Sequence, residues 1–489
     1  MKRFSCILLT VLLMCASCGE AAKSDTTDTA QTGTNTDTEP AATEAPIPDH
    51  LDELGEKDFE GRVFTILDAN DHPDMHVNMP GTEENGDIIN DALYQRDAAI
   101  EERYNIDLQY IQIEGASTGT TKLKNAALTD DSTYSICIST LLGGTLGTIA
   151  LEGVLANLLE VPYLSLDQNW WSSLMYESLR FDNKMYYTTG DISPTMYQMP
   201  SCLYLNKSLA ENYDIQADFP QLVRDGKWTW DEMISACKNL TVDVNGDNKM
   251  DTWDDFFGFV HNEMSSLVTN AYVVSAGIDL STISEDGSQI KVDLLNEHTS
   301  NAIDKFKELV TPNIKIREFN DIITKTFEED RALFLHHYVE SASNYLRDMK
   351  SDYLILPLPK YDEAQESYRS FANAWADAFV AIPITSDPEF TGFITEALGY
   401  YSYKNVRPQT YEIMYKQKTT RDEDSAEMLD VIFNTVYVDF NCIYDFGGTA
   451  SVLCNVINGK GELASSLTKI ESKIDTALEK FITGWKAEK

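Results

Sequence analysis

The sequence lacks the short motifs that mark the common classes of enzyme. It has no GxxxxGKS/T phosphate loop, no HExxH zinc motif and no GxSxG nucleophile elbow. His72 and His76 are four residues apart, but Pro73 between them argues against a helical metal pair. Among 79 acidic side chains, a carboxylate pair of the glycosidase type arises by chance. We therefore predict that the chain is not an enzyme, and no residue is named as catalytic.

Basic residues and cysteines are also scarce. The chain has 38 Lys and Arg against 79 Asp and Glu, a net charge of −41, which argues against nucleic-acid binding. Beyond the first 18 residues only five cysteines remain, with no CxxC spacing, so neither a zinc site nor a full disulfide framework is indicated. Two alternatives stay open: a disulfide between two of these cysteines, or five buried free thiols. The five are Cys137, Cys202, Cys237, Cys442 and Cys454, of which Cys442 and Cys454 are the candidate pair.

The N-terminus has the pattern of an export signal. Met1-Lys2-Arg3 precedes an apolar run, residues 4–14, that is too short to span a bilayer permanently. Ala16-Ser17-Cys18 resembles a bacterial lipoprotein processing site, although Cys15 stands where Leu is usual. We predict a lipoprotein signal peptide over 1–17 and a lipid on Cys18. The alternative is an ordinary cleaved signal that releases a secreted protein.

A polar spacer follows the cysteine. Residues 19–50 contain no Phe, Trp or Tyr, and Ile47 is their only large aliphatic residue. Such a composition buries too little apolar surface to offset chain entropy. We expect residues 18–56 to form a disordered, Thr- and Asp-rich tether that holds the remainder at the extracellular face of the cell membrane.

Beyond the spacer, strand and helix patterns alternate, which predicts an α/β fold. Apolar residues indicate strands at 61–67, 106–111 and 134–140, and Asp87 is placed to start a helix that Asn105 ends. Thr229 and Glu232 fit a capping box at a second helix. From Gly461 onward, apolar residues at helical spacing predict one long amphipathic helix. No later segment is apolar enough to cross a membrane, and we expect a monomer.

Several strings, taken in order, resemble family 1 of the extracellular solute-binding proteins, which serve sugar ABC importers. They include GDIINDALYQRDAAIEERYNID at 86–107, LYLNKSLAENYDI from Leu203 and LILPLPKYDEAQESYRS from Leu354. The resemblance implies a two-lobed periplasmic-binding-protein fold of type II, with the ligand cleft at a multi-strand hinge. It implies lobe one at 57–186 plus 299–348, and lobe two at 187–298 plus 349–489. The implied function is delivery of a carbohydrate, an oligosaccharide, to an ABC permease. The alternatives are a glycoside hydrolase and a surface adhesin.

Ligand residues are sought where strands end, because ligands bind open α/β sheets there. Sugars stack their C–H faces on aromatic rings and bond their hydroxyls to polar side chains. Trp375, in a segment of small residues near the expected hinge, is the first choice for stacking. The polar and aromatic candidates at strand ends are Asp68, Asp71, Ser139, Thr140, Asp191, His261, Asn262 and Tyr338. Trp170 and Trp171 are expected in the core or at the rim of the cleft.

One loop has the ligand spacing of a calcium site. Oxygen-bearing side chains fall at positions 1, 3, 5, 9 and 12 of residues 243–254, and position 7 offers a backbone carbonyl. Asn248 stands where glycine is usual at position 6, and it tolerates the left-handed conformation. The alternative is a metal-free turn. The predicted calcium ligands are Asp243, Asn245, Asp247, Lys249, Asp251 and Asp254, with Trp228, Trp230 and Trp253 packed around them.

Overall fold

Two four-stranded sheets organise the chain, and each combines strands that are distant in sequence. The computed structural model describes residues 49–71, 78–142, 145–238, 240–251, 253–262, 265–310, 321–419 and 421–487. The predicted signal peptide, the lipidation site Cys18 and the spacer up to residue 48 lie outside the described residues. The strands are β1 Arg62–Asn70, β2 Ile106–Glu114, β3 Ile136–Ser139, β4 Ser201–Asn206, β5 Phe257–Val260, β6 Thr282–Ile283, β7 Ile290–Lys291, β8 Ala332–Tyr338, β9 Tyr353–Leu356, β10 Ser370–Phe371, β11 Phe379–Ala381 and β12 Val436–Tyr437.

Helices surround both sheets. They are α1 His50–Leu54, α2 Ile88–Tyr104, α3 Ala116–Thr129, α4 Leu146–Ala150, α5 Ser173–Ser178, α6 Lys207–Asn212, α7 Phe219–Arg224, α8 Trp230–Cys237, α9 Ser266–Ser275, α10 Glu297–Val310, α11 Asp321–Glu328, α12 Pro388–Tyr401, α13 Glu423–Phe433, α14 Phe440–Tyr444, α15 Thr449–Ile457, α16 Leu463–Thr468 and α17 Glu471–Lys486. Two π-helical segments, Ser402–Val406 and Pro408–Thr419, follow α12. Among the described residues, no helix has the length and apolarity needed to cross a membrane.

The first sheet has the order β11-β3-β1-β2. β1 pairs in parallel with β2 and β3, whereas β11 runs antiparallel to β3. The last seven residues of β1 are all buried, as expected for a parallel strand covered on both faces. The predicted caps are present: the Asp87 carboxylate accepts two amides at the start of α2, and Asn105 ends that helix with φ 50°.

The second sheet has the order β5-β8-β4-β9. β5 and β8 are parallel, and β4 runs antiparallel to both β8 and β9. Two adjacent crossover segments connect this part of the chain with the first sheet. Thr188 and Val380 exchange backbone hydrogen bonds of 3.0 and 2.7 Å between them, so residues 186–191 and 378–381 run side by side.

The lobe boundaries expected from the resemblance differ from this topology at two places. Residues 299–348 were assigned to lobe one, but β8 lies inside the second sheet, between β5 and β4. Residues 349–489 were assigned to lobe two, but β11 joins the first sheet, and α12 packs beside it through Phe390 and Phe393 on Phe59. Both assignments depend on pairing between strands that are far apart in the sequence. The local residue pattern carries no information about such pairing.

The C-terminal helix is interrupted. The predicted stripe breaks at Ile470, whose ψ of 3° is not helical, so α16 and α17 form instead of one long helix. The firmest anchor is Trp485, fully buried, whose ring lies 4.7 Å from that of Tyr186. Cys442 and Cys454 form no disulfide, and among the described residues the other three cysteines form none either.

Candidate functional site

Polar side chains collect at the carboxyl end of β1 in the first sheet. Asp68 is fully buried, and its Oδ1 accepts from the amide groups of Asn70 at 3.2 Å and Asn78 at 3.5 Å. Its Oδ2 meets no hydrogen-bond partner among the described residues. Burial raises the pKa of Asp68 to about 6, against the lowering effect of the amide side chains of Asn70, Asn78 and Gln112. The predicted Asp71 has a structural contact instead, because its carboxylate accepts from the Ala116 amide at the start of α3.

Asn78 joins this edge to the first crossover. Its Oδ1 accepts from the hydroxyls of Ser193 and Thr195, the latter at 2.9 Å, and all three side chains are buried. Asn78 is not among the predicted ligand residues, since nothing in the local sequence distinguishes it from an asparagine at the surface. Its amide nitrogen and oxygen satisfy both sides at once. The end of β1 is therefore tied to the chain that enters the second sheet.

The raised pKa of Asp68 predicts a pH-dependent stability. A carboxyl whose pKa rises on folding stabilises the fold below its unfolded pKa, near 3.8, and that contribution is lost as the pH rises through about 6. We expect Asp68→Asn to be more stable than the parent at pH 7.5, by roughly 1 to 3 kcal/mol, and to lose this advantage at pH 4. Melting temperatures between pH 4 and 7.5 measure the difference. Asp167→Asn, at an exposed carboxylate, is the control, and an advantage that persists at pH 4 would contradict the assignment.

At the end of β3, Ser139 and Thr140 differ in role. The Ser139 hydroxyl donates to the Ala69 carbonyl and so links two strands of the sheet. The Thr140 hydroxyl is buried and meets no partner among the described residues. The next residue, Leu141, donates its amide to the Ala374 carbonyl at 2.9 Å. Thr140 thus lies beside the segment that carries Trp375.

The second sheet contributes the ends of β5 and β8. His261 is fully buried, stacks on Phe259 at 5.0 Å and contacts the Asn262 carbonyl through Nδ1, so it belongs to the core of this part. Asn262 and Tyr338 are half-buried. Burial, followed by the carboxylates of Glu340 and Asp377, raises the pKa of Tyr338. Asp377 lies just ahead of β11 in the first sheet.

Trp375 lies in a segment whose other members are buried. Its side chain is 37% exposed, whereas the flanking residues 372–374 and 376–378 are at most 3% exposed. Amides of this tight turn are held by Asn373, whose Oδ1 accepts from the Trp375 amide and whose carbonyl accepts from Asp377. Asp377 Oδ1 is buried and has no partner among the described residues. Burial raises the pKa of Asp377, with the Asn373 amide opposing.

Four residues from three elements are linked by these observations: Thr140 precedes Leu141, whose amide bonds the Ala374 carbonyl, and the Asp377 carboxylate acts on the Tyr338 hydroxyl. Thr140 comes from the first sheet, Tyr338 from the second, and Trp375 and Asp377 from the segment that precedes β11. We call them the Trp375 cluster. It presents one exposed aromatic ring and two buried oxygens that lack partners among the described residues, Thr140 Oγ1 and Asp377 Oδ1.

Asp191 lies at a separate point of the first crossover. It is buried, accepts from the Tyr197 hydroxyl, and has Oδ2 3.6 Å from the Arg407 guanidinium. Burial raises its pKa to about 6, and Arg407 and Tyr197 oppose this. Beside it is a cavity of about 290 Å³. Trp170 and Trp171 are buried, as expected, and form part of the wall of this cavity.

The predicted calcium loop is closed by amides that donate to its acidic side chains. Asp243 accepts from Gly246 at 2.7 Å and from Asn248 at 2.8 Å, and Asn248 takes the left-handed conformation, φ 65°. A residue outside the predicted set ties the ends: buried Asp255 accepts from Val244 and Asp251, both at 2.9 Å. Asp254 is exposed. Among the described residues, no three His, Cys, Asp or Glu side chains converge as a metal site requires.

The tryptophans expected around this loop lie mostly elsewhere. Trp228 and Trp230 are fully buried in the core of the second sheet's part, 5.3 Å from Phe219 and 5.1 Å from Phe306 respectively. That expectation was wrong for both, because apolar area decides their position and nearness in sequence does not. Trp253 is on the loop and is 58% exposed.

Comparisons with known proteins agree with this geometry. The sequence profile described as bacterial extracellular solute-binding protein matches residues 83–385. The fold is similar to that of the cyclic alpha-maltosyl-1,6-maltose binding protein from Arthrobacter globiformis, with a TM-score of 0.58 and 12% identity over 86% of this chain and 99% of that one. It is similar to the galacto-N-biose-/lacto-N-biose I-binding protein of an ABC transporter from Bifidobacterium longum, with a TM-score of 0.58 and 12% identity over 87% and 99%.

A third similar structure is the ABC substrate-binding protein Lmo0181 from Listeria monocytogenes in complex with cycloalternan. Its TM-score is 0.53, at 14% identity over 86% of this chain and 99% of that one. At such identities the likeness shows the fold alone. No curated protein matches the sequence.

Proposed function

Because this chain belongs to the bacterial extracellular solute-binding protein family, we propose that it binds a carbohydrate, an oligosaccharide, and passes it to an ABC permease. The observation that carries the carbohydrate proposal is Trp375, an exposed ring on a buried turn at the hinge. An indole ring exposed to water there does not gain the free energy of apolar burial. A sugar whose C–H face stacks on the ring would supply that burial. The similar structures from Arthrobacter, Bifidobacterium and Listeria support the same ligand class, since each is named for a carbohydrate or bound to one.

The Trp375 cluster also suggests how binding changes the protein. A sugar stacked on Trp375 lies beside Thr140 of the first sheet and Tyr338 of the second. Thr140 Oγ1 and Asp377 Oδ1 are closed off from solvent and meet no partner among the described residues, so an opening movement that exposes them would let sugar hydroxyls supply those partners. Contacts made to both sheets at once favour the closed form of the protein. A permease would then receive the closed, loaded form.

Tryptophan fluorescence tests the proposal, and the Trp375→Phe variant identifies the part of the signal that comes from Trp375. Of seven tryptophans, only Trp375 and Trp253 are more than a third exposed. We expect an oligosaccharide such as maltotriose or lacto-N-biose to shift the emission and raise the melting temperature, with the sugar recovered intact. Products released from the sugar would favour the glycoside hydrolase. If no carbohydrate changes the emission or the melting temperature, the adhesin would be favoured.

We also propose that Cys18 carries a lipid anchor at the extracellular face of the membrane. The support is the sequence pattern of residues 1–19 and the polar spacer that follows. We expect Cys18→Ser to move the protein from the membrane fraction to the medium or periplasm, because the acyl chains supply the attachment. Fractionation and mass spectrometry of the mature N-terminus measure this. Cys137→Ser, at a buried thiol, is the matched control, and membrane retention of Cys18→Ser would contradict the anchor.

Calcium binding at residues 243–254 is a further proposal. Its support is the ligand spacing and the left-handed Asn248; the loop would hold the ion in a structural role. We expect calcium to raise the melting temperature of the parent relative to a chelator, and Asp243→Asn to abolish the difference. Asp304→Asn, an exposed carboxylate on α10, is the control. Equal melting temperatures with calcium and with chelator would refute a calcium site.

A further inference from the structure

The cavity beside the first crossover is suited to a small ligand. Its volume, about 290 Å³, is at the lower end of the range of ligand pockets, roughly 300 to 1,000 Å³. Its lining includes five aromatic side chains, those of Trp170, Trp171, Tyr197, Tyr403 and Phe433. None of the four residues of the Trp375 cluster lines it. The cavity is therefore distinct from the site proposed above.

The aromatic wall is fixed in position. Trp171 Nε1 donates at 3.1 Å to Glu396, a fully buried carboxylate that also contacts His50 at 3.1 Å. On the crossover, Gly190 lies so close that a Cβ there would approach the Trp170 carbonyl to 2.3 Å. The wall cannot relax towards the crossover, and a ligand meets it already formed. Such preorganisation lowers the ordering cost of binding.

Two opposite charges face the cavity as a loose ion pair. Arg407 Nη1 lies 3.6 Å from Asp191 Oδ2. It lies over the rings of Tyr403 at 5.4 Å and Tyr411 at 5.3 Å. Arg407 separates the two π-helical segments, a rare geometry that often marks functional positions.

The chemistry of this lining selects one class of ligand. Aromatic faces suit C–H groups, a guanidinium donates to hydroxyl oxygens, and a carboxylate accepts from hydroxyl hydrogens. The lining carries the carboxylates of Asp191 and, at the exposed rim, Asp167 against one guanidinium, so an anion is disfavoured, and the Asp191–Arg407 pair leaves no inner charge for a cation. The exposed amide side chains of Asn169 and Asn434 add neutral donors and acceptors at the rim. We propose that this cavity is a second carbohydrate site, which takes a neutral monosaccharide or a polyol of that size.

Its position connects the second site to the hinge. Asp191 and Gly190 belong to the first crossover, which pairs with the second crossover at Thr188 and Val380. A ligand in the cavity contacts the crossover directly, so its binding affects the equilibrium between open and closed forms. Trp375 and Asp377 of the Trp375 cluster immediately precede the second crossover. The two sites thus act on neighbouring strands of one hinge.

Calorimetry with D-glucose, D-galactose and D-mannitol tests this proposal on the purified mature chain. We expect binding that Trp375→Phe retains, and that Arg407→Gln and Ser173→Trp each weaken at least roughly tenfold, as loss of charged hydrogen bonds predicts. Ser173 is an exposed residue at the cavity, so a bulky side chain there blocks entry without disturbing the core.

The outcomes separate the two sites. Monosaccharide binding that disappears in Trp375→Phe and persists in Ser173→Trp overturns the second site and leaves the proposed function standing. If Trp375→Phe binds a monosaccharide and the parent protein binds no oligosaccharide, the second site is supported and the oligosaccharide site at the Trp375 cluster is overturned. Unchanged affinity in Ser173→Trp, or no binding of the three probes to the parent, overturns the second site whatever Arg407→Gln does.

Discussion

Replacing Trp375 by alanine is expected to weaken oligosaccharide binding by about thirtyfold or more, or roughly 2 kcal/mol. The ring is the one exposed aromatic surface of the Trp375 cluster, and alanine leaves the sugar face without a partner. The fold should lose only a little stability, since more than a third of the side chain is exposed. Isothermal titration with maltotriose or lacto-N-biose measures the loss, and melting temperature without ligand confirms the fold.

The chain supplies its own control for this variant. Trp253 is also exposed, at 58%, but lies on the 243–254 loop. Trp253→Ala should keep both the affinity and the ligand-dependent change in fluorescence, and Trp375→Phe should retain part of the affinity while losing the tryptophan signal. Equal affinities of Trp375→Ala and Trp253→Ala would show that the sugar binds elsewhere.

Replacing Arg96 by alanine is expected to destabilise the fold by about 3 to 5 kcal/mol, the usual result of removing one partner from a buried ion pair. Arg96 is 1% exposed, and its guanidinium donates to Asp97 at 2.8 Å, to Tyr110 at 2.8 Å and to the Ile192 carbonyl at 3.1 Å. Alanine leaves a buried carboxylate without its counter-charge. The variant also loses the hydrogen bond from Arg96 in α2 to the Ile192 carbonyl, next to the first crossover. Chemical denaturation measures the free energy of unfolding.

An exposed ion pair that also involves an arginine provides the comparison. Arg62 and Asp387 are 2.9 Å apart, but their side chains are 48% and 45% exposed. Solvent screens such pairs, so Arg62→Ala should cost no more than about 1 kcal/mol. If the two variants lose similar free energies, the network around Arg96 does not hold the crossover.

Local pattern predicted the parts of the fold that local forces decide. The buried run of β1, the Asp87 cap, the Asn105 stop and the Thr229 cap were all placed correctly. The α/β class and the family followed from strings spread over the chain, and both are confirmed. Residue periodicity is enough to predict these helices and strands, because each of them is determined by its own hydrogen bonds and by which of its side chains are buried.

Long-range pairing could not be predicted in the same way. β8 lies in the second sheet because its backbone pairs with β4, which precedes it by more than a hundred residues. The break at Ile470 depends on how α16 and α17 pack, since the apolar spacing continues through it. Asp71 lies at the expected strand end, yet the nearby start of α3 takes up its carboxylate.

The ligand-binding roles of the predicted residues stay predictions. The structure places Trp375 at the surface of a buried turn and Asp191 in the lining of the separate cavity. Asp377 and Asn78 were missed, because an acidic residue among alanines and a lone asparagine carry no signal until the fold buries them. Arg407 was missed for the same reason. Their roles arise from tertiary contacts, whereas strand ends can be found from sequence alone.

Hydrogen exchange with and without an oligosaccharide is the most direct test that the ligand binds between the two sheets. The peptides to follow cover residues 139–142 of the first sheet, 336–340 of the second and 373–378 between them. Saturating maltotriose, or whichever oligosaccharide of the panel raises the melting temperature most, should slow exchange in all three together. Protection confined to one sheet, or absent from 373–378, would contradict binding at the Trp375 cluster.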